Sequence, residues 1–392
     1  MAPYIICALM CCVFTKIGSM IRNKWIKRFF YTLAAFCPCF LAAVRDSDIG
    51  TDVLVYGDSI FNAAQQAPSY WTFLNSRSNE PLYLLVAYLT AQVGNRYVYY
   101  FVLQALVCVP ILAAVTREET EREAWLGMMI YSLWLFPFTL NIMRQSIAIA
   151  LTIYGSKFIL TKQDGKFLIT VLIAEGFHST AVIGLVPWLI YKLVVYDSSD
   201  LLDTGKGGRI RIKTVNFGKG FTRFKQRYSI LFKLLLIVVV TATVYYGARL
   251  ITIVSQLLGK YGYQVSHLNA SFNFNKTFFL ALFLIAVIIY FMMWVQRKEK
   301  TPESQYYILI AICGTILFQL QGISSQLYRV SLYFTCYMMV YVPAAFSHKR
   351  RNYLYYLGIA AILFLLIYVW YKTIIKSGWN EIYPYASSFL GI

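Results

Sequence analysis

Three arginines stand at the mouths of apolar blocks of the chain, namely Arg45, Arg144 and Arg329. A charged side chain there is costly unless it faces water, a partner or a substrate. A guanidinium fork binds phosphate oxygens through two parallel hydrogen bonds. The three forks therefore suit a diphosphate better than a neutral solute. For Arg144, which has no acid beside it in the sequence, snorkelling to lipid headgroups is the alternative interpretation.

Groups that could move a proton accompany these arginines, namely Asp52, Glu80 and His178. Because a diphosphate is a good leaving group, such a group remains available to take a proton from a sugar hydroxyl. Glu80 precedes Pro81 and is also typical of a helix start, where the helix dipole favours a carboxylate. A histidine between apolar runs, like His178, is often a buried, hydrogen-bonded group. The choice of base between His178 and Glu80 stays open.

We expect neither a metal site nor a cofactor. Glu175 lies three residues before His178, which by itself is no zinc motif. The eight cysteines lie in apolar segments without the spacing of zinc ligands. Asp46 and Asp48, beside Arg45, leave metal-dependent chemistry open as an alternative.

The elements that carry these residues are membrane spans. The 392 residues are 59% hydrophobic and 14% charged, whereas a soluble domain has roughly 25% charged residues. The apolar blocks are long enough to cross a hydrocarbon layer of about 30 Å. The net charge of +19 comes largely from short connections, where basic residues set orientation, so we expect no nucleic-acid partner. The composition predicts an all-α, polytopic transmembrane bundle, a single membrane domain over residues 1–392.

The predicted full spans number about twelve and lie at residues 2–15, 29–44, 97–115, 124–140, 145–160, 167–177, 178–195, 229–255, 277–295, 305–322, 328–346 and 353–371. The segment 82–93 is short for a crossing, and a re-entrant course there keeps the orientation consistent. Residues 45–80 and 256–276 are then outer loops. Residues 196–228 form a basic cytoplasmic loop that sets topology or contacts anionic membrane lipids.

This topology places residues from distant parts of the chain on one membrane face. Both termini lie outside, and six charged or titratable residues fall at outer ends of spans or in outer loops: Arg45, Asp52, Glu80, Arg144, His178 and Arg329. An outward-facing active site requires this arrangement.

At these residues the sequence resembles the EpsG family of bacterial exopolysaccharide proteins, a branch of the Wzy-type polymerases. The elements that carry the resemblance run nearly the length of the chain: Arg45 with Gly50-Thr51-Asp52 and Tyr56, Glu80-Pro81, Asn141 with Arg144-Gln145, Phe177-His178 with Thr180-Ala181, Arg329 with Tyr333-Phe334, and Tyr383-Pro384-Tyr385. Each motif is weak alone, and their order makes the combination specific. Asp46-Ser47-Asp48 departs from the family pattern.

The resemblance implies a polymerase in the bacterial plasma membrane that joins undecaprenyl-diphosphate-linked oligosaccharides at the outer face. Its fold would resemble the metal-independent GT-C-type membrane glycosyltransferases, and a chain-length regulator is a candidate partner. Carried over by residue, Arg45, Arg144 and Arg329 hold the diphosphate. His178 or Glu80 orients or deprotonates the acceptor, and Asp52 positions a sugar or an arginine. Four further residues would contact substrate: Tyr56, Asn141, Gln145 and Tyr333.

Three other functions remain open from the sequence. The first is a metal-dependent GT-C glycosyltransferase that uses a lipid-monophosphate sugar, which a chelator would inhibit. The second is a flippase or transporter for lipid-linked sugars, although the paired repeats and broken helices common in transporters are not evident. The third is a membrane acyltransferase, which would leave chain length unchanged.

Overall fold

The computed structural model describes residues 1–118, 120–195, 224–258, 273–324, 327–347 and 352–392. Within these ranges every regular element is helical, which confirms the all-α prediction. Most of the predicted cytoplasmic loop 196–228 and of the predicted outer loop 256–276 lies outside the described residues.

The first half of the chain forms eleven α-helices among the described residues. They are α1 Ala2–Met20, α2 Lys24–Ala43, α3 Asp58–Gln66, α4 Tyr70–Asn75, α5 Pro81–Ala91, α6 Arg96–Val115, α7 Ala124–Ile130, α8 Phe136–Thr139, α9 Met143–Leu160, α10 Asp164–Glu175 and α11 Leu185–Leu193.

Six further α-helices follow in the described part of the second half. They are α12 Ser229–Leu258, α13 Lys276–Val295, α14 Pro302–Leu317, α15 Tyr328–Thr335, α16 Met338–Phe346 and α17 Tyr353–Trp370. Polar caps start several of the long helices, because the first N–H groups of a helix lack partners inside it. The Asn23 side chain accepts from the N–H of Trp25 at the start of α2, and that of Asn95 accepts from the N–H of Tyr97 at the start of α6.

Seven helices among the described residues are long and apolar enough to cross a membrane. This number supports a multi-pass membrane protein, whereas the count of about twelve full spans stays a prediction. Two predicted spans, 124–140 and 328–346, are interrupted. In the first, a π-helical turn at Tyr131–Leu135 separates α7 from α8, and Pro137 lacks the N–H that a continuous helix needs.

The segment between α2 and α6 is largely helical. Residues 45–80, predicted as an outer loop, contain a π-helical turn at Val53–Gly57 followed by α3 and α4, and their place outside the membrane stays a prediction. The apolar residues of these short helices, such as Ile60, Phe61 and Phe73, are buried and provide the packing that orders them. Helix α5 has 11 residues, which makes it about 17 Å long, too short for a full crossing, as predicted for 82–93.

The described chain divides into two compact units. The first contains residues 1–157, 166–182 and 338–392, and the second contains residues 158–165 and 183–337. Helices of membrane-spanning length occur in both, and the single membrane domain over residues 1–392 stays a prediction. In the second unit α14 packs against α13 and α15.

The first unit has two ends, and each is marked by contacts between the segments that connect its helices. At the basic end, Lys27 forms an ion pair of 2.8 Å with Glu121, and Lys16 donates to the carbonyl of Arg122. At the opposite end, which we call the motif end, Arg45 lies after α2 and over the ring of Tyr100 near the start of α6. The segment between α2 and α6 therefore starts and finishes at the same end, as a half-crossing requires.

Candidate functional site

The centre of the motif end is an ion pair between Glu80 and Arg144. Glu80 directly precedes α5, and Arg144 lies in the first turn of α9. One guanidinium nitrogen, Nη1, is 2.6 Å from Glu80 Oε2, with 27% of the arginine side chain and 17% of the glutamate side chain exposed. The pair is therefore partly withdrawn from water, which strengthens its attraction relative to a surface pair.

This pair changes the interpretation of both residues. Glu80 is the N-cap residue of α5, as a helix-start carboxylate would be, but its side chain makes no cap hydrogen bond and pairs with Arg144 instead. Arg144 forms an ion pair with Glu80, so reaching the lipid headgroups does not by itself account for this side chain. Its guanidinium carbon also lies 5.6 Å from the centre of the Tyr83 ring, an attractive cation–π distance.

The turn that carries His178 is hydrogen-bonded to the Glu80 carboxylate of the same ion pair. The second carboxylate oxygen of Glu80, Oε1, accepts from the N–H of Ser179 at 3.3 Å, and the N–H of Leu82 donates to the carbonyl of Gly176 at 2.8 Å. The starts of α5 and α9 and the end of α10 therefore meet at one place. Glu80 bridges the arginine and the residue after the histidine.

The ring of His178 is oriented by Thr180. Its Nδ1 accepts from the N–H of Thr180 at 3.2 Å and lies 2.8 Å from the Thr180 hydroxyl oxygen. Because a backbone N–H can only donate, Nδ1 acts as the acceptor, and the neutral imidazole then carries its proton on Nε2. In this tautomer Nε2 is a hydrogen-bond donor.

A tight turn places Asp52 against the start of α9. The N–H of Asp52 donates to Oδ1 of Asn141 at 2.9 Å. Gly50 has a φ of +88°, and a Cβ at this position would lie 2.5 Å from the carbonyl oxygen of Leu140. Only glycine allows both this conformation and this approach. The backbone of the Gly50-Thr51-Asp52 motif therefore lies against Leu140 and Asn141, and the motif also carries the Asp52 carboxylate.

Arg45 lies beneath this surface rather than on it. The residue is 1% exposed, its Nη1 donates to the carbonyl of Ala42 at 3.1 Å, and its Nη2 is 3.6 Å from the Met143 sulfur. Burial lowers the pKa of the Arg45 guanidinium, although an arginine keeps its charge in proteins. The side chain lines a crevice with Gln104 and Thr139 that is too narrow for a water molecule.

A second charged group at the motif end escaped the sequence analysis. Asp58 accepts from the hydroxyl of Tyr100 at 2.7 Å and lies 3.5 Å from Nε of Arg96. The Tyr100 ring lies between two guanidinium groups, 5.1 Å from that of Arg45 and 5.3 Å from that of Arg96. Arg96 could have been found by the criterion that selected Arg144, because it also starts an apolar helix.

Comparison with known proteins identifies the family of the chain. The EpsG family profile matches residues 28–199 and 220–387, which is most of the chain. The chain belongs to the EpsG family. This EpsG protein is also 30% identical over 117 residues to the human ATP-binding cassette sub-family C member 2, a match that covers 27% of this chain. The chain spans only 8% of the length of that relative. No solved structure matches.

The remaining predicted residues are distributed over both units of the EpsG protein. Tyr56 is half-exposed on the π-helical turn, and Gln145 is buried beside Arg144. Arg329 and Tyr333 both lie on α15 in the second unit, where Tyr333 is fully buried. The structure therefore brings most predicted site residues together within the first unit: Arg45, Asp52, Glu80, Asn141, Arg144 and His178.

Asp46, one of the two carboxylates that a metal-dependent enzyme would use, binds the C-terminal segment. Its oxygens accept from the N–H of Ser388 at 2.8 Å and from the Ser388 hydroxyl at 2.9 Å. These contacts assign to Asp46 a role in holding the end of the chain.

Proposed function

We propose that this EpsG-family protein is a membrane polysaccharide polymerase. It joins undecaprenyl-diphosphate-linked oligosaccharide repeat units at the outer face of the bacterial plasma membrane. The observation that carries the proposal is the Glu80–Arg144 ion pair, which is tied to the His178 turn through Ser179. A guanidinium, a carboxylate and an oriented imidazole at one place could serve transfer from a lipid diphosphate as anion binder, base and hydrogen-bond donor.

The reaction is a substitution at the anomeric carbon of the donor chain. The oxygen of an acceptor sugar hydroxyl forms a bond to that carbon, and the bond from the carbon to the diphosphate oxygen breaks. Undecaprenyl diphosphate leaves with the electron pair. The hydroxyl proton passes to a base, and the chain grows by one repeat unit.

Arg144 is proposed to bind the diphosphate. Within the described part of the chain its guanidinium contacts the Glu80 carboxylate through one nitrogen and the Tyr83 ring through its face. Its other N–H groups are then available to phosphate oxygens, whose charge grows as the bond breaks. For Arg329, diphosphate binding is proposed from its sequence motif alone. Arg45, which is buried, would act through its field rather than by contact.

Glu80 is proposed as the base and His178 as a hydrogen-bond donor. The oxygens of the Glu80 carboxylate can accept a proton, whereas the Nε2 of His178 carries one in the tautomer described above. The sequence left this choice open, and the hydrogen bond from Thr180 favours this assignment. Asp52, Tyr56 and Asn141 are proposed to orient the sugars. Gln145 and Tyr333 are buried and are proposed to act through the residues that they contact.

Deletion of the gene, followed by sizing of the lipid-linked saccharides, tests the function. We expect single repeat units to accumulate on the lipid at the outer face, and polymer to return when the gene is restored. Repeat units stranded at the inner face would identify a flippase instead. Polymer of normal length that lacks a substituent would identify an acyltransferase.

Elongation in vesicles distinguishes the metal-dependent alternative. The purified protein, reconstituted with a synthetic undecaprenyl-diphosphate oligosaccharide, is expected to elongate chains equally with and without a chelator. Loss of elongation with chelator and its return with a divalent cation would favour the metal-dependent glycosyltransferase.

A further inference from the structure

The C-terminal part of the chain is bonded to the motif segment, which we define as residues 44–52. The N–H of Asp46 donates to the carbonyl of Ala386 at 3.1 Å, and the Asp46 carboxylate accepts from Ser388. The Ser387 hydroxyl donates to the carbonyl of Val44. The family motifs in the sequence marked this C-terminal part only at Tyr383-Pro384-Tyr385.

Glu381 binds this motif segment through both its main chain and its side chain. Its carbonyl oxygen accepts from the N–H of Gly50 at 3.0 Å, and its Oε2 accepts from the hydroxyl of Thr51 at 2.6 Å. The next residue, Asp52, donates its N–H to Asn141. Glu381 and Asn141 therefore hold adjacent residues of one turn from two sides.

The backbone at Glu381 is in the left-handed region, with a φ of 54°, and the preceding Asn380 has a φ of 67°. This region is disfavoured for residues that carry a Cβ, and glutamate is not among those that tolerate it best. Such conformations persist where surrounding contacts hold them, and they concentrate at functional sites. The contacts of Glu381 with Gly50 and Thr51 keep its backbone in this conformation.

We infer that Glu381 is a positioning residue that fixes the Gly50–Asp52 turn against Asn141 and thereby orients the groups of the motif end. The inference rests on the proposed function in one respect, namely that the oriented groups serve chain elongation. Glu381 itself is exposed, and its role is exerted through Thr51.

Four variants of the full chain test this role in proteoliposomes that contain a synthetic undecaprenyl-diphosphate oligosaccharide. Glu381→Ala removes the acceptor, whereas Glu381→Gln keeps one carbonyl oxygen that accepts from Thr51. Thr51→Val removes the donor, and the double variant Thr51→Val with Glu381→Ala removes both. The control is Glu121→Ala, which deletes a glutamate bonded to Lys27 and Tyr31 at the basic end.

We expect Glu381→Ala to lower kcat roughly tenfold with KM changed less than about twofold, because positioning acts on the bound complex. Glu381→Gln should recover most of the rate, and Glu121→Ala should keep wild-type kcat. If Glu381 acts through Thr51, the double variant should be about as slow as the slower single variant. Wild-type kcat in Glu381→Ala, or effects that multiply in the double variant, would overturn the inference.

Hydrogen exchange separates this inference from the proposed function. The amide exchange of the peptide that contains Gly50–Asp52 should accelerate in Glu381→Ala and stay at the wild-type rate in Glu121→Ala. Unchanged exchange at that peptide contradicts the positioning role whether or not the protein elongates chains. A wild-type protein that elongates no chains refutes the polymerase, and accelerated exchange would still support the role of Glu381 in the turn.

Discussion

At the scale of single residues, the motif end combines cations that are paired in different ways. Arg144 has a carboxylate at 2.6 Å, whereas the contacts of the buried Arg45 among the described residues are a carbonyl, a sulfur and an aromatic ring. A buried cation without a carboxylate is costly. The cation–π contact with Tyr100 offsets part of that cost, and the positive potential that remains favours an anionic ligand nearby.

Replacing arginine by lysine tests the diphosphate role. Lysine keeps the charge but loses the planar fork, so Arg144→Lys and Arg329→Lys should each shorten the polymer and lower kcat/KM at least roughly tenfold. Arg117→Lys is the control, since Arg117 donates to Ser156 away from the motif end and its variant should stay within about twofold of wild type. Wild-type polymer from both Arg144→Lys and Arg329→Lys would refute the diphosphate role.

At the scale of elements, the site depends on how closely turns approach each other. The turn at Gly50 lies against the carbonyl of Leu140 just before α9, and the end of α10 is bonded to the start of α5. The ends of helices carry the site residues, while the helices themselves pack through apolar side chains. A small displacement of one turn therefore moves a reacting group without unfolding a helix.

Two glycines with positive φ allow the cost of a left-handed backbone to be compared with the cost of a close contact. Gly50 has a φ of +88° and faces Leu140, whereas Gly94 has a φ of +74°, and a Cβ added there would meet no described atom within 4 Å. Gly94→Ala should cost about 1 kcal/mol of stability from the left-handed conformation alone. Gly50→Ala should cost about 2 kcal/mol more, because backbone must move.

Thermal unfolding in detergent, compared with wild type, measures this difference. The Gly50→Ala protein should also lose elongation, and the Gly94→Ala protein should keep it. Equal destabilisation by the two substitutions would show that the approach to Leu140 is not tight in the protein.

At the scale of the whole molecule, the first unit has ends of different character. Lys16, Lys27 and Arg117 lie at the basic end, and the ion pair of Glu80 and Arg144 lies at the motif end. Basic residues are retained on the cytoplasmic side of a membrane. This asymmetry supports an orientation in which the motif end faces outward.

Labelling from outside intact cells tests that orientation. A membrane-impermeant thiol reagent should modify Tyr56→Cys, since Tyr56 is half-exposed near the motif end. Arg22→Cys, in the exposed turn between α1 and α2, should react only after permeabilisation. Wild-type protein gives the background from its eight native cysteines, all of which except Cys37 are buried. Reaction of Arg22→Cys in intact cells would reverse the topology.

The motif residues could be selected from the sequence because charge is rare in apolar blocks. Arg45, Glu80, Arg144 and His178 stand out by type and position, and six of the predicted residues meet in the first unit. Asp58 and Glu381 were missed, because the residues around each in the sequence give no sign of its partner. Their roles depend on partners 42 and 330 residues away in the chain.

Composition alone determined that this chain is a helical membrane protein, because burying so much apolar surface in a bilayer requires every backbone hydrogen bond to close within a helix. The order of its motifs indicated the family. Only the tertiary structure decided that Glu80 pairs with Arg144 and that the C-terminal segment contacts the motif segment. Each of these contacts joins residues far apart in sequence, and hydropathy carries no information about such pairings.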